Sequence, residues 1–214
     1  LGQQQELDGQ LLVAMATYRE GLKRFPESLE LNRSGGRLLV GLKQFDAAVP
    51  LLTKTLTRVA NDREMAYYLA VAERALGRNR RAEVSWESAQ QYGTYAAASL
   101  FNLAAIAWKA GNRDEALDRI SRAVQAAPDA VRAGGIEVAL LRAAGQAEKA
   151  RARLAAWRLM DPANSLLRVE AVRLGAADAS VWAHLAADPE RVVEVVADYM
   201  RFGLYADAVD LLGR

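Results

Sequence analysis

The fold is decided by residues 100–128, LFNLAAIAWKAGNRDEALDRISRAVQAAP. This stretch has the pattern of two amphipathic helices joined by a tight turn at Gly111, and it ends at Pro128. Ala116 and Ala123 lie on the side of the second helix that would face its partner. The same landmarks return when the sequence is shifted by 34 residues, which predicts an array of helix-turn-helix units.

Five columns of this period support the prediction. A small residue opens each second helix: Ala14, Ala48, Ala82, Ala116 and Ala150. A turn residue precedes it by five positions: Gly9, Lys43, Gly77, Gly111 and Gly145. A large apolar residue follows it by four: Tyr18, Leu52, Trp86, Ile120 and Leu154. The units end at Pro26, Ala60, Thr94, Pro128 and Pro162. Small residues recur within the first helices at Gly2, Gly36, Ala70 and Ala104, where close helix packing is expected.

Composition agrees with a helical array and excludes several classes of site. The 214 residues are 52% hydrophobic and include only five prolines, which favours helix along most of the chain. The absence of cysteine excludes disulfides and thiolate metal sites. A balance of 28 basic and 26 acidic residues gives a net charge of +2, too small to indicate nucleic acid by itself.

No apolar run approaches the ~20 residues that a membrane-spanning helix needs, so no membrane insertion is predicted. The chain begins at Leu1 rather than at methionine, and we therefore expect it to be a piece of a longer protein, in which case any targeting segment would be missing from this sequence. The location stays unassigned, with the cytoplasm favoured.

The repeat pattern resembles the tetratricopeptide repeat, a helix-turn-helix unit that stacks into a right-handed superhelix. The resemblance is carried by LDGQLLVAMATYREGLKRFP (7–26), LGRNRRAEVSWESA (76–89), KAGNRDEALDRISRAVQAAP (109–128) and AAGQAEKARARLAAWRLMDP (143–162). It implies an all-α fold, a right-handed α-solenoid of about six stacked repeats, as a single array over residues 1–214. The expected units are 1–28 (partial), 29–62, 63–96, 97–130, 131–164, 165–188 (short and irregular) and 189–214 (partial).

The register breaks near the C-terminus, because the next small position holds His184, and it recovers in RFGLYADAVDLL (201–212). Within 174–188 we expect a short helix capped by Asp178, followed by a new helix with Asp188 as N-cap and Pro189 in its first turn. The junction AADPER (186–191) and the helix pair after it are also similar to the repeat region of large bacterial proteins that carry a carbohydrate-related domain.

Few residues suit catalysis, so the sequence predicts a non-enzymatic protein with no metal and no cofactor. His184 is the only histidine, which excludes sites that need two imidazoles, and we expect it to be packed or on the surface. The glycines of residues 34–36 and 134–135 lie within helices, where they favour close packing over a phosphate loop. Glu137 replaces a leucine of the preceding repeats, so we expect it to pair with an arginine or to be exposed by a local shift.

The tetratricopeptide resemblance implies that the first helices line a concave face with six ligand-contacting positions each. In repeats two to five these positions hold two anions, Glu30 and Glu64, and seven cations: Arg33, Arg37, Arg74, Arg78, Lys109, Arg132 and Arg142. They also hold the aromatic residues Tyr67, Phe101 and Trp108. We predict that these ten basic and aromatic residues bind an acidic segment or a carboxylate-ended peptide. The alternatives are that the arginines only keep the face soluble and that Trp108 packs between helices.

The dicarboxylate clamp that some family members use for chaperone tails matches only two of its five positions here, in its better frame, Asn102 and Arg132, and is not supported. Three other interpretations stay open: an accessory segment of a larger, carbohydrate-active bacterial enzyme, an RNA-binding helical repeat, and a purely architectural array. The strict 34-residue period and the chemically dissimilar columns argue against RNA. Because Tyr199, Phe202, Leu211 and Leu212 are expected on an uncovered end of the array, self-association is also predicted.

Overall fold

The structure, a computed structural model, describes residues 1–91 and 93–214. Over these residues it is all-α, as predicted. The helices are α1 (Gly2–Leu7), α2 (Leu11–Arg24), α3 (Leu29–Gly41), α4 (Phe45–Arg58), α5 (Arg63–Ala75), α6 (Asn79–Ala89), α7 (Ala96–Lys109), α8 (Arg113–Ala126), α9 (Val131–Ala143), α10 (Ala147–Met160), α11 (Ser165–Arg173), α12 (Ser180–Ala186), α13 (Pro189–Phe202) and α14 (Tyr205–Leu212). Odd-numbered helices are the first and even-numbered helices the second members of successive pairs.

The chain divides into two compact units, Leu1–Ser99 (unit 1) and Leu100–Arg214 (unit 2). Unit 1 is built from α1 to α6 around a core that includes Met15, Leu38 and Met65. Unit 2 has its own core, which includes Ile136, Leu140 and Leu167. The single array over 1–214 and its unit limits stay predictions.

The periodic columns form the cores of both units. All five residues of the alanine column are 0% exposed. A larger side chain there would push the paired helices apart, which explains why each of these repeats has alanine at this position. The large apolar column is buried as well. A Cβ added at Gly36 would lie 2.8 Å from Leu52, and one added at Gly134 would lie 1.9 Å from the Trp157 ring. The interpretation of these glycines as packing positions is therefore confirmed.

The turn column adopts the left-handed backbone conformation. Gly9, Gly77, Gly111 and Gly145 have φ values between 74° and 88°, which glycine adopts without a steric penalty. Lys43 occupies the same position with φ 57° and is the only non-glycine residue with positive φ in the described part of the chain. The turn between α3 and α4 is thus strained by a residue that the other turns avoid.

Lys43→Gly is expected to raise the free energy of unfolding of unit 1 by about 1 kcal/mol, because the penalty of a left-handed lysine exceeds the extra freedom of glycine in the unfolded chain. Denaturant unfolding measures the change. The reverse substitution, Gly77→Lys, is the matched control and should lower the stability of the same unit by a similar amount. A Lys43→Gly variant no more stable than the parent would contradict this account.

Two segments depart from the regular repeat. Helix α6 has 11 residues where α4 and α8 have 14, and six positions rather than four separate its end from the start of α7. The predicted short helix is α12, with seven residues, but its cap is not Asp178. The N-cap is Ala179, and Asp178 accepts a hydrogen bond from the Ser180 hydroxyl instead. The predicted start of α13 is confirmed, because Asp188 accepts a hydrogen bond from the Glu190 backbone N–H at 3.0 Å.

The C-terminal helix pair corrects the prediction of an uncovered end. Tyr199 and Phe202 are 0% exposed and Leu211 is 4% exposed, so only Leu212 of the four predicted residues faces solvent. The other three are covered because α13 and α14 fold against earlier helices of unit 2, as described below. None of the described helices is both long and apolar enough to cross a bilayer.

Candidate interaction surfaces

In unit 1 the predicted cations of α3 are held by carboxylates of neighbouring helices. The Arg33 guanidinium lies 2.7 Å from Asp62 and 3.0 Å from Glu64. Arg37 lies 2.8 Å from Glu6. Asp62 is the N-cap of α5 and also accepts a hydrogen bond from the Met65 backbone, so its position is fixed by the helix start. The positive charges of Arg33 and Arg37 are therefore compensated by carboxylates of the same unit.

Arg74 and Arg78 are placed differently. Arg74 is exposed on the last turn of α5 and donates a hydrogen bond to the side-chain carbonyl of Asn79, a neutral group that leaves its charge uncompensated. Arg78 lies 3.5 Å from Asp46, a residue whose side chain is 80% exposed, and such a solvated pair is weak. Both arginines are exposed, and within the described residues neither forms an ion pair with a buried carboxylate.

Tyr67 belongs to a cluster of three tyrosines in unit 1. Its ring stacks on Tyr95 with 5.0 Å between centroids, and it meets the edge of Tyr68 at 5.7 Å. Burial, together with hydrogen bonding to Tyr68, raises the pKa of Tyr95, so its phenol stays neutral at physiological pH. Of the three tyrosines the sequence predicted only Tyr67 as a ligand-contacting residue. Tyr95 lies just before α7, at a position to which the 34-residue period does not apply.

In unit 2 the predicted arginines contact carboxylates far along the chain. Arg132 binds Asp198 through Nε at 2.9 and 3.1 Å and through Nη2 as well. Arg142 binds Glu170 at 2.6 and 3.0 Å and Asp207 at 2.8 Å. Burial disfavours the charged form of Arg142, but the hydrogen bonds that it donates to the Glu170 and Asp207 carboxylates, with their negative charge, outweigh burial and raise the pKa of the guanidinium. Both arginines are structural elements of unit 2.

The other predicted residues of unit 2 divide between surface and core. Phe101 meets the ring of Phe202 edge-to-face, with 5.0 Å between centroids. Lys109 is exposed on the last turn of α7, and its Cγ would lie 3.1 Å from a Cβ added at Gly203. Trp108 is 4% exposed, and the Arg113 guanidinium covers its ring at 3.9 Å. Trp108 therefore packs in the core, as the alternative interpretation held, and offers no surface to a ligand.

Sequence reasoning missed the carboxylates that neutralise the predicted basic face. Glu6, Asp62, Glu170, Asp198 and Asp207 each pair with one of its arginines. All five lie outside the repeat-two to repeat-five columns from which the charge was counted, and Asp198 and Asp207 follow the short pair α11–α12. The positive charge of the face is therefore smaller than expected, because carboxylates compensate four of its arginines: Arg33, Arg37, Arg132 and Arg142.

His184 forms a hydrogen-bonded pair with Ser165, with 3.1 Å between Nε2 and Oγ. The pair is not arranged for nucleophilic catalysis. Arg191 lies 3.3 Å from Nδ1 and can only donate, so Nδ1 accepts and the proton of the neutral ring is on Nε2, facing the serine. A general base needs that nitrogen unprotonated. Burial, with Arg191 and Arg168 nearby, lowers the pKa of His184 and keeps it neutral.

Glu137 pairs with Arg153 at 2.7 Å while being 6% exposed, which confirms the expected pairing of this buried carboxylate. Over residues 1–91 and 93–214, His, Asp and Glu side chains form no group of three that could hold a metal ion.

No protein-family model and no curated protein sequence matches the chain. Solved structures do. The C-terminal part of a TPR repeat-containing protein from Cytophaga hutchinsonii aligns with a TM-score of 0.74 at 10% identity, over 99% of this chain and 98% of that one. PilF of Pseudomonas aeruginosa aligns with a TM-score of 0.68 at 14% identity, over 96% and 93% of the two chains.

YrrB, described as a TPR protein with an unusual peptide-binding site, aligns with a TM-score of 0.63 at 16% identity, over 92% of this chain and 98% of that one. At these identities the likeness concerns the fold. It agrees with the buried alanine column, the left-handed turns and the paired helices described above. The chain therefore has the fold of tetratricopeptide repeat proteins, as its sequence pattern predicted.

Proposed function

We propose that this chain is a non-catalytic scaffold that binds a protein or peptide, and that unit 1 recognises an acidic segment through Tyr67, Arg74 and Arg78. The observation that carries the proposal is the combination of a stacked tyrosine pair with an uncompensated arginine on one helix. Tyr67 and Arg74 are seven residues apart on α5, two helical turns, so they share a side.

The chemistry of this surface suits a peptide with a carboxylate and an apolar or aromatic side chain. Tyrosines give a large, rigid contact area at low entropic cost, and arginine binds carboxylates through two parallel hydrogen bonds. Asn79 accepts from Arg74, and a carboxylate makes a stronger, charge-assisted bond with the same guanidinium. The likeness to YrrB, whose description names a peptide-binding site, supports a peptide as the class of ligand.

The test is an array of immobilised twelve-residue peptides of defined composition, namely acidic, basic and neutral, each with and without an aromatic residue. We expect the chain to bind the acidic peptides with an aromatic residue. The double substitution Tyr67→Ala with Arg74→Glu should weaken that binding by roughly tenfold or more, because it removes the aromatic surface and reverses the charge.

The control is Arg24→Glu, which makes the same charge change on a 72%-exposed side chain of α2 whose partner, Glu20, lies on the same helix. It should leave binding unchanged. Equal binding by the parent and the Tyr67→Ala, Arg74→Glu variant would refute the proposed surface, and preference for basic peptides would refute the proposed ligand class.

RNA is the alternative ligand for a surface that carries several arginines. Four arginines of the predicted face, Arg33, Arg37, Arg132 and Arg142, are paired with carboxylates, which lowers the positive charge that this face could offer to a phosphate backbone. No specific observation favours RNA or an accessory role beside an enzyme.

A further inference from the structure

The last helix pair of unit 2 contacts first helices that precede it by two and three pairs. Asp198 of α13 binds Arg132 of α9, 66 residues earlier, and Arg201 binds the side chain of Asn102 of α7, 99 residues earlier. In a regular array a helix pair packs only on its neighbours. Arg132 belongs to the face on which a ligand was predicted to bind, as do Phe101 and Arg142, and Asn102 follows Phe101 on α7. We call Phe101, Asn102, Arg132 and Arg142 the inner face of unit 2.

The contacts have the chemistry expected of a bound helix. Asp198 and Phe202 are four residues apart and therefore lie on one side of α13, where the first meets Arg132 and the second meets Phe101. Asp207, in the first turn of α14, meets Arg142 at 2.8 Å. The carboxylates of α13 and α14 thus pair with the two arginines of the inner face, and the aromatic ring of Phe202 packs on its phenylalanine.

This fit is incomplete around the Arg132–Asp198 pair. A cavity of about 370 Å³, enough for several waters, remains beside the Arg132–Asp198 pair and is lined by residues of α9, α11 and α13, among them Leu166 and Val195. The Arg132 side chain stays 60% exposed although its partner Asp198 is buried. Val193, which also lines this cavity, is 64% exposed. The contact described here between α13 and α9 is thus an ion pair beside a cavity, while Tyr199 and Phe202 of the same helix are buried in the core of unit 2.

We propose that the inner face of unit 2 binds an amphipathic helix of a partner protein that carries a carboxylate and an aromatic residue four positions apart, and that α13–α14 occupies this site within the chain until the partner displaces it. This proposal rests on the scaffold function above but concerns another surface and another class of ligand. An amphipathic helix bound in a groove is a common mode of recognition, and α13 displays the register and the anchors that such a ligand uses here.

The experiment uses the full chain and a fluorescein-labelled peptide of residues 189–214 as the probe. In the parent chain the internal helix pair competes at high effective concentration, so the probe binds weakly. Asp198→Asn in the chain weakens the internal pair, and the probe should then bind roughly tenfold or more tightly, as expected when one partner of a buried charge pair is removed. The same substitution in the probe should weaken its binding to the variant chain by a similar factor.

The matched control chain is Asp118→Asn, which alters an exposed ion pair within α8 and should bind the probe as the parent does. Hydrogen exchange gives a second readout: in the Asp198→Asn chain the amides of α13 and α14 should exchange faster while those of α9 and α10 are unchanged. Loss of protection in α9 together with α13 would overturn the proposal, because the pair would then be an inseparable part of the core.

Equal binding of the parent and Asp198→Asn probes would also overturn it. The two proposals fail separately. If Tyr67→Ala with Arg74→Glu abolishes probe binding, the probe is bound by unit 1 and the inner-face proposal is wrong. If that variant loses only the acidic peptides of the array, both surfaces stand.

Discussion

Gly134→Ala is expected to destabilise unit 2 by about 3 kcal/mol, although alanine is the better helix former. Gly134 lies in α9, and a Cβ there would lie 1.9 Å from Cε2 and 2.2 Å from Cδ2 of Trp157. Trp157 is 3% exposed in the second helix of the same pair, so its ring has no free space into which it can move. The overlap must separate α9 from α10 or force Trp157 out of its rotamer, and both disrupt the core.

Gly41→Ala is the matched control, since Gly41 is also helical but has no heavy atom within 4 Å of an added Cβ. It should be neutral or stabilise unit 1 by up to about 1 kcal/mol. Urea unfolding of both variants measures the difference. Adding Trp157→Leu to Gly134→Ala should recover part of the loss in a double-mutant cycle, because the overlapping ring is gone. A Gly134→Ala variant as stable as the parent would mean that the helix pair is not packed this closely.

The sequence predicts the fold well because the repeat imposes the same physical requirement at the same position many times. Ala14, Ala48 and Ala82 are small because two helices meet there, and the turn glycines recur because the chain must take a left-handed conformation. Such local requirements are visible without coordinates. The predicted Asp188 cap was confirmed for the same reason, since a helix start depends on a few adjacent residues.

The candidate site was predicted less completely, because charge compensation is a property of tertiary structure. Arg132 and Asp198 are 66 residues apart, and nothing in the 34-residue period relates them. Helices α11 and α12 have nine and seven residues, shorter than a regular pair, and the effect of that shortening on the direction of α13 follows only from packing. Tyr95 was not predicted for a similar reason, since it lies just before α7 at a position that the 34-residue period does not describe.

The largest electrostatic effect is expected at Glu170, which is 0% exposed and joins three helices. It accepts two hydrogen bonds from Arg142 of α9 and one, at 2.6 Å, from the Tyr199 hydroxyl of α13. Burial and the adjacent Glu170 carboxylate raise the pKa of Tyr199, so the phenol stays protonated and keeps donating. Glu170→Ala removes the acceptor of both partners and leaves a buried guanidinium with only Asp207.

Glu170→Ala should therefore lower the free energy of unfolding of unit 2 by about 3–5 kcal/mol, the usual cost of removing one partner of a buried ion pair. Glu170→Gln keeps an acceptor for Tyr199 but loses the charge, and it should lie between Glu170→Ala and the parent. Glu148→Ala removes an exposed partner of Arg151 and serves as the control, with a change within about 0.5 kcal/mol. Urea unfolding followed by hydrogen exchange assigns the loss to unit 2. An effect of Glu170→Ala no larger than that of Glu148→Ala would show that Arg142 and Tyr199 find other partners, and that Glu170 does not hold α13 to the rest of unit 2.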